Sequence, residues 1–217
     1  MKFALTHATL AGFWLTGAVY AAQNPDVAFI TQLKGTVVVQ GTQAQRNAVA
    51  LTKLRLGERL QLKKESQLRI VYFDGGRQET WNGEAKLAVG SAESAKLAGA
   101  DPEVKKLPTV LSKQLAMTPS GEATSRVGMA RLRGSTNAKL AEAEKNYSNL
   151  RGVTTDDDRT PELYLLAALF EWGRYDRIES VLKDLKSRHP DSSEVAAIDD
   201  RYSKALEEAR KPVKTTQ

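Results

Sequence analysis

The chain has 217 residues, of which 41% are hydrophobic and 27% charged, with 32 Lys and Arg against 26 Asp and Glu for a net charge of +6. This is the profile of an ordinary soluble chain of one or two domains. The cationic excess is spread along the sequence, without the dense basic block that nucleic-acid binding usually needs. It leaves open a weak attraction to anionic glycans or lipid head groups, or simply a solvated mixed surface. There is no Cys, so disulfides, thiolate metal ligands and a lipobox cysteine are excluded. Of the two His, His7 lies in a segment expected to be removed, which leaves His189 alone and gives little support to a His-rich metal site or a Ser-His-Asp triad.

Residues 1–21 read as a cleavable secretory signal. Lys2 supplies the positive start, and Phe3 to Tyr20 has no acidic or basic residue besides His7. Val19-Tyr20-Ala21 suits cleavage after Ala21. The stretch is short for a membrane span, which needs about 20 apolar residues, although a retained anchor is the alternative. A Cys-free exported chain without a lipobox points to a bacterial periplasm.

Residues 27–90 carry short apolar runs broken by Gly, Asp-Gly and Asn-Gly. Val27 to Gln32 and the β-branched Thr36 to Val39 are expected strands. Ala48 to Leu51 is a further short strand, and Leu54, Leu56, Leu60 and Leu62 flank a turn at Gly57-Glu58. In 67–73, Leu68, Ile70 and Tyr72 alternate with Arg69, Val71 and Phe73, so one face is expected to be more deeply buried. Asp74-Gly75 and Asn82-Gly83 both read as hairpin turns, because they favour positive φ.

The order Gly35-Thr-Val-Val-Val, Leu54-x-x-Gly57-Glu58-x-Leu60, Ser66-x-Leu68-x-Ile70-x-Tyr72-x-Asp74-Gly75 and Gly83-x-x-x-Leu87-x-Val89 resembles a FecR-type periplasmic domain. The resemblance covers about residues 28–90. It implies an all-β fold and says little about ligand, because these positions are mostly turns and core.

Residues 91–134 read as a linker with short helical pieces. Pro102, Pro108 and Pro119 interrupt any long helix, and Thr124 to Val127 could add a strand. From about 135 the apolar period becomes helical. Ala138, Ala141, Ala143, Tyr147 and Leu150 define one helix ending near Gly152. Asp156-Asp157-Asp158 follows; it lacks the alternating ligands of a calcium loop and reads as a solvated loop whose acid favours the next helix N-terminus. That helix starts with Thr160 as N-cap and Pro161 at its first position. Gly173-Arg174-Tyr175-Asp176 is a turn. Ile178, Val181, Leu182 and Leu185 form the next apolar face, which His189-Pro190 ends. Val195, Ile198, Tyr202, Ala205 and Leu206 mark a last helix that frays near Lys211.

Leu163 to Ser192 resembles one tetratricopeptide unit, with Tyr164, Ala168, Gly173, Tyr175 and Pro190 at matching positions. It departs at Ile178, where a small Ala is usual. A plain helical bundle is the alternative for 135–211.

The candidate ligand or partner contacts are Trp81, Tyr164, Trp172 and Tyr175, each with core packing as its other reading. Glu58, Asp74, Glu79 and Glu84 are the acids from which a carboxylate pair for glycoside cleavage would be drawn. The sequence has no phosphate loop or nucleophile elbow, and no catalytic residue, metal ligand or cofactor site is assigned. The fold class expected is α+β in separate segments, an N-terminal all-β FecR-like module followed by a C-terminal TPR-like antiparallel helical domain. The function expected is a non-enzymatic periplasmic binding or scaffold protein. Its partners would be an envelope protein and peptidoglycan or another envelope polymer, with no nucleic acid and no membrane span after cleavage. An accessory of an envelope transmembrane signalling system is the alternative.

Overall fold

The computed structural model describes residues 24–41, 45–119 and 136–211. The signal segment, the cleavage position and the strand expected at 124–127 lie outside the described residues.

The fold is α+β in separate segments. The strands are β1 (Asp26–Lys34), β2 (Val37–Gln40), β3 (Arg46–Asn47), β4 (Lys53–Arg55), β5 (Arg59–Leu62), β6 (Gln67–Tyr72), β7 (Arg77–Asn82), β8 (Ala85–Val89), β9 (Ser94–Gly99) and β10 (Glu103–Lys106). They form two five-stranded sheets, ordered β10-β7-β6-β1-β4 and β3-β2-β5-β8-β9. Every strand pairing is antiparallel.

The sheets close over one apolar core. Alternate residues supply it: Ala28 and Ile30 of β1, Val37 and Val39 of β2, Leu60 and Leu62 of β5, Leu68, Ile70 and Tyr72 of β6, and Leu87 and Val89 of β8. Side chains on a strand point to opposite faces in turn. In β6 both faces are buried, because its other face, including Arg69 and Val71, lies beneath the helices. One face was expected to be less deep; the helical layer supplies the difference.

Three local expectations change. Asn82-Gly83 makes no hairpin, since β7 pairs with β6 and β10 while β8 pairs with β5 and β9. The turn instead carries the chain from one sheet to the other. Ala48 to Leu51 is not a strand. Leu51 turns at φ 63, donates its N–H to the Ile30 carbonyl at 2.8 Å and puts its side chain into the core under the helices. The stretch 91–106 is not a linker: β9 and β10 pair with β8 and β7 and extend the sandwich to Lys106. Both are exposed edge strands whose register comes from their neighbours rather than from their own weak strand propensity.

Glycine is required at the β6–β7 hairpin. Gly76 has φ +66, and a Cβ there would lie 2.4 Å from the Leu107 carbonyl oxygen. That carbonyl belongs to the chain leaving β10, so the hairpin and the exit strand can approach only without a side chain.

The helices are α1 (Thr109–Leu115), α2 (Thr136–Val153), α3 (Thr160–Glu171), α4 (Tyr175–Arg188) and α5 (Ser193–Arg210). α3 is buried along its whole apolar length, from Leu163 to Phe170, as a helix hydrophobic on every side must be. It packs between α2, α4 and α1. Leu140 and Ala143 supply the buried face of α2 with Tyr147 and Leu150 half-buried; Ala138 and Ala141 are exposed, contrary to expectation. Ile178 is fully buried in α4, and Val195, Ile198, Tyr202, Ala205 and Leu206 face inward from α5.

The helical core continues into the sandwich. Phe29, Leu51 and Val71 join Leu111, Leu115 and the helices in one apolar cluster. The Ser112 hydroxyl donates to the Phe73 carbonyl at 3.1 Å, tying α1 to the end of β6. No helix among the described residues is long and apolar enough to cross a membrane.

Candidate functional site

Of the four aromatic candidates, Trp81 and Tyr164 are core. Trp81 is 1% exposed between the sheets and presents no ring face to a ligand. Its indole N–H donates to Glu79 Oε2 at 3.0 Å. Tyr164 is 3% exposed within α3, where its hydroxyl accepts from Asn146. Trp172 and Tyr175 are half-buried on either side of the α3–α4 turn. Tyr175 rests against Phe170 with ring centroids 5.9 Å apart. Gly173, at φ +67, makes this turn, and the Arg174 N–H returns to the Leu169 carbonyl at 2.9 Å.

The four acids do not assemble. Glu79 is 0% exposed. Its Oε1 accepts from Arg77 Nε at 2.7 Å and from the Ser94 N–H at 3.1 Å, while Oε2 holds Trp81. This carboxylate is fully occupied joining β7 to the start of β9. Beside it the Tyr72 hydroxyl bonds Ser94 Oγ at 2.7 Å, and burial pushes the phenol well above its ordinary pKa. Glu58 braces its own turn, taking the Arg55 N–H at 2.9 Å and Arg46 at 3.1 Å. Asp74 and Glu84 are exposed, Asp74 in the β6–β7 hairpin and Glu84 at the corner before β8. Among the described residues no three His, Cys, Asp or Glu converge as metal ligands.

The structure builds a polar cluster where the helices meet the sandwich, which the sequence pattern did not indicate. Asp158 is buried rather than solvated, and it faces two ways. Its Oδ1 accepts the Thr160 N–H at 2.9 Å, opening α3, and lies 3.2 Å from Arg69 of β6. Thr160 therefore sits inside the helix rather than capping it. Arg159 reaches His189 Nε2 at 3.1 Å, and Asp156 lies 3.9 Å from the same nitrogen. His189 closes α4, as expected, with its N–H on the Leu185 carbonyl. Nearby, Arg151 donates to Glu162, which is 0% exposed, and to the Asp158 carbonyl. The Glu194 carboxyl is pushed up by burial, against the pull of Lys34, Arg159 and Arg69. Of these contacts Arg69–Asp158 joins the sandwich to the helices, and the others tie the helices to one another.

Among the described residues are two shallow grooves. One, of about 370 Å³, lies between α4 and α5 and is crossed by the Lys186–Asp199 and Arg210–Glu179 ion pairs. The other, of about 470 Å³, runs between β10 and the β8–β9 loop beside Arg77. Pockets that enclose small ligands are of comparable volume but mostly apolar; these are open and mostly lined by charged or small residues. Among the described residues, no residue of the β3-β2-β5-β8-β9 sheet joins the helical core, and on its outer face Gln40, Arg59, Lys63 and Lys86 are exposed while Val38 is buried.

No family model matches the chain, and neither a curated protein nor a solved structure matches it.

Proposed function

We propose that this is a non-enzymatic binding or scaffold protein of the periplasm. In this reading the FecR-like sandwich recognises an envelope polymer and the TPR-like helices hold an envelope protein. The observation that carries it is the asymmetry of the sandwich. One sheet is packed under α1 and the helical segment, whereas the other presents exposed Gln40, Arg59, Lys63 and Lys86 among small apolar residues on its outer face. A second surface, with Trp172 and Tyr175 half-exposed at one helical turn, suits a peptide partner, since aromatic residues concentrate at interface hot spots. The acids that could have formed a hydrolytic pair are separately engaged or separately exposed, which favours binding over catalysis.

The test places a photo-crosslinking residue at Gln61 or at Trp172 of the full chain in its host. Captured species are then identified by mass spectrometry. Crosslinks from Gln61 to envelope glycan and from Trp172 to an envelope protein are expected. Capture of a single inner-membrane protein from Trp172, with none from Gln61, would favour the signalling accessory instead. A chain retained in the cytoplasm, or captured by neither class, would overturn the reading.

A further inference from the structure

The outward positions of the β3-β2-β5-β8-β9 sheet follow from its register. Val38 of β2, which is itself buried, stands opposite Asn47 of β3 on one side and Gln61 of β5 on the other. Gln61 stands opposite Lys86 of β8, which stands opposite Ala98 of β9. A second row runs Gln40, Arg59, Ala88 and Ala95. Residues directly opposite in a sheet share a face, and the alternate residues Leu60, Leu62 and Leu87 are buried inside. The Lys63 N–H donates to the Thr36 carbonyl at 3.0 Å, so the pairing of β5 with β2 continues one residue further. Lys63, the residue after β5, thus continues the outward series of Arg59 and Gln61.

Three cations result. Lys86 lies beside Gln61 and diagonal to both Arg59 and Lys63, at about 7–8 Å. All three are exposed. Among the described residues the ion pairs of this sheet are Arg46–Glu58 and Lys96–Asp101, so Arg59, Lys63 and Lys86 have no carboxylate partner. No outward strand position is an Asp or Glu; acids begin at the margin, with Glu65 and Glu84. Gln40, Gln61 and Asn47 add amides that donate and accept hydrogen bonds, and Ala88, Ala95 and Ala98 leave a low floor on which a flat ring can rest.

We propose that this face binds a carboxylated glycan strand, with the carboxylates on Arg59, Lys63 and Lys86 and the hydroxyls on the amides. The inference rests on the binding reading above and deepens it. Arg59 and Lys63, four residues apart along the chain, lie about 13 Å apart with Lys86 on the neighbouring strand between them, a spread that fits a repeating polymer better than one small anion. A membrane surface is the weaker match. Electrostatic capture by anionic lipid uses about four to eight clustered Lys and Arg, and three are present here.

The test titrates the full mature chain into polygalacturonate at low salt. Dextran, as a neutral glycan, and phosphatidylglycerol vesicles are run alongside. Binding to polygalacturonate is expected to exceed that to either control. The triple variant R59Q/K63Q/K86Q should weaken it at least about thirty-fold, and Lys86→Gln alone about five-fold, which keeps the proposal falsifiable if the triple variant folds poorly. K139Q/K145Q/K183Q, which removes the same charge from the helices, should bind within about two-fold of the parent. Four results would overturn the proposal: equal loss in the helical variant, no loss in the sheet variants, preference for vesicles, or equal affinity for dextran. A pull-down with purified peptidoglycan separates the two readings. If the sheet triple variant still sediments with it, this face is wrong and the polymer-binding reading stands; if the parent chain binds neither polymer, both fall.

Discussion

Glu79 and Trp81 show how a residue type that suggests chemistry can be structural. A buried carboxylate is costly unless hydrogen bonds and a countercharge satisfy it. Arg77, Trp81 and the Ser94 backbone together provide both. Trp81→Ala removes a fully buried aromatic and one of the donors, and should lower stability by about 3–5 kcal/mol. Trp81→Phe keeps most of the volume but leaves Oε2 unmet, for about 1–3 kcal/mol. Urea unfolding measures both. A parent-like midpoint for Trp81→Ala would mean the ring is not core.

Glu194 titrates with the opposite sense to a stabilising acid. Burial raises its carboxyl in the folded state, and its Oε1 has no hydrogen-bond partner among the described residues. An acid whose folded pKa exceeds its unfolded value prefers to be protonated when folded. Its ionisation therefore costs stability, with no cost below the unfolded pKa of about 4.3 and the full cost above the folded one. Glu194→Gln is expected to raise Tm at pH 7 and to lose that advantage near pH 4. A gain that persists unchanged into acid would exclude the titration as its cause.

At the scale of elements, pattern and pairing carry different weights. The central strands and the helices α3 to α5 are legible because alternation and 3.6-residue spacing record which side is buried. The edge strands β9 and β10 leave no such record. Their side chains are largely exposed, so no burial pattern is imposed on Ser94–Gly99 or Glu103–Lys106. They still complete the module. β9 supplies the Ser94 N–H to Glu79 and the hydroxyl to Tyr72, and both strands cover otherwise open edges. A chain ending after Gly90 should therefore be much less stable and more aggregation-prone than one ending after Lys106. Light scattering and thermal melts of the two truncations would show it. Equal behaviour would demote β9 and β10 to ornament.

Across the whole molecule the sandwich and the helices share a core, with Phe29 and Val71 packed into the helical cluster and Arg69 paired to Asp158. Cooperative unfolding is the consequence. Calorimetry should give one transition rather than two, and Phe29→Ala should lower it as a unit by about 3–5 kcal/mol. Asp158→Ala strands the buried Arg69 and uncaps α3, with a similar expected loss of about 3–5 kcal/mol. Two resolved transitions, with only the first shifted by Phe29→Ala, would mean the segments fold independently.

The amino-acid sequence by itself determined the order of segments, most central strands, the helical turns at Gly173 and His189-Pro190, and the absence of thiol chemistry. Each is local: a period, a turn residue or a composition is complete within a few residues of chain. Tertiary structure alone decided that Asn82-Gly83 joins two sheets, that 91–106 belongs to the sandwich, that Asp158 is buried against Arg69, and that Glu79 is enclosed. It also decided which sheet packs against the helices. These outcomes depend on which strands and helices meet, and residues distant in sequence meet only when the layers close around a shared core.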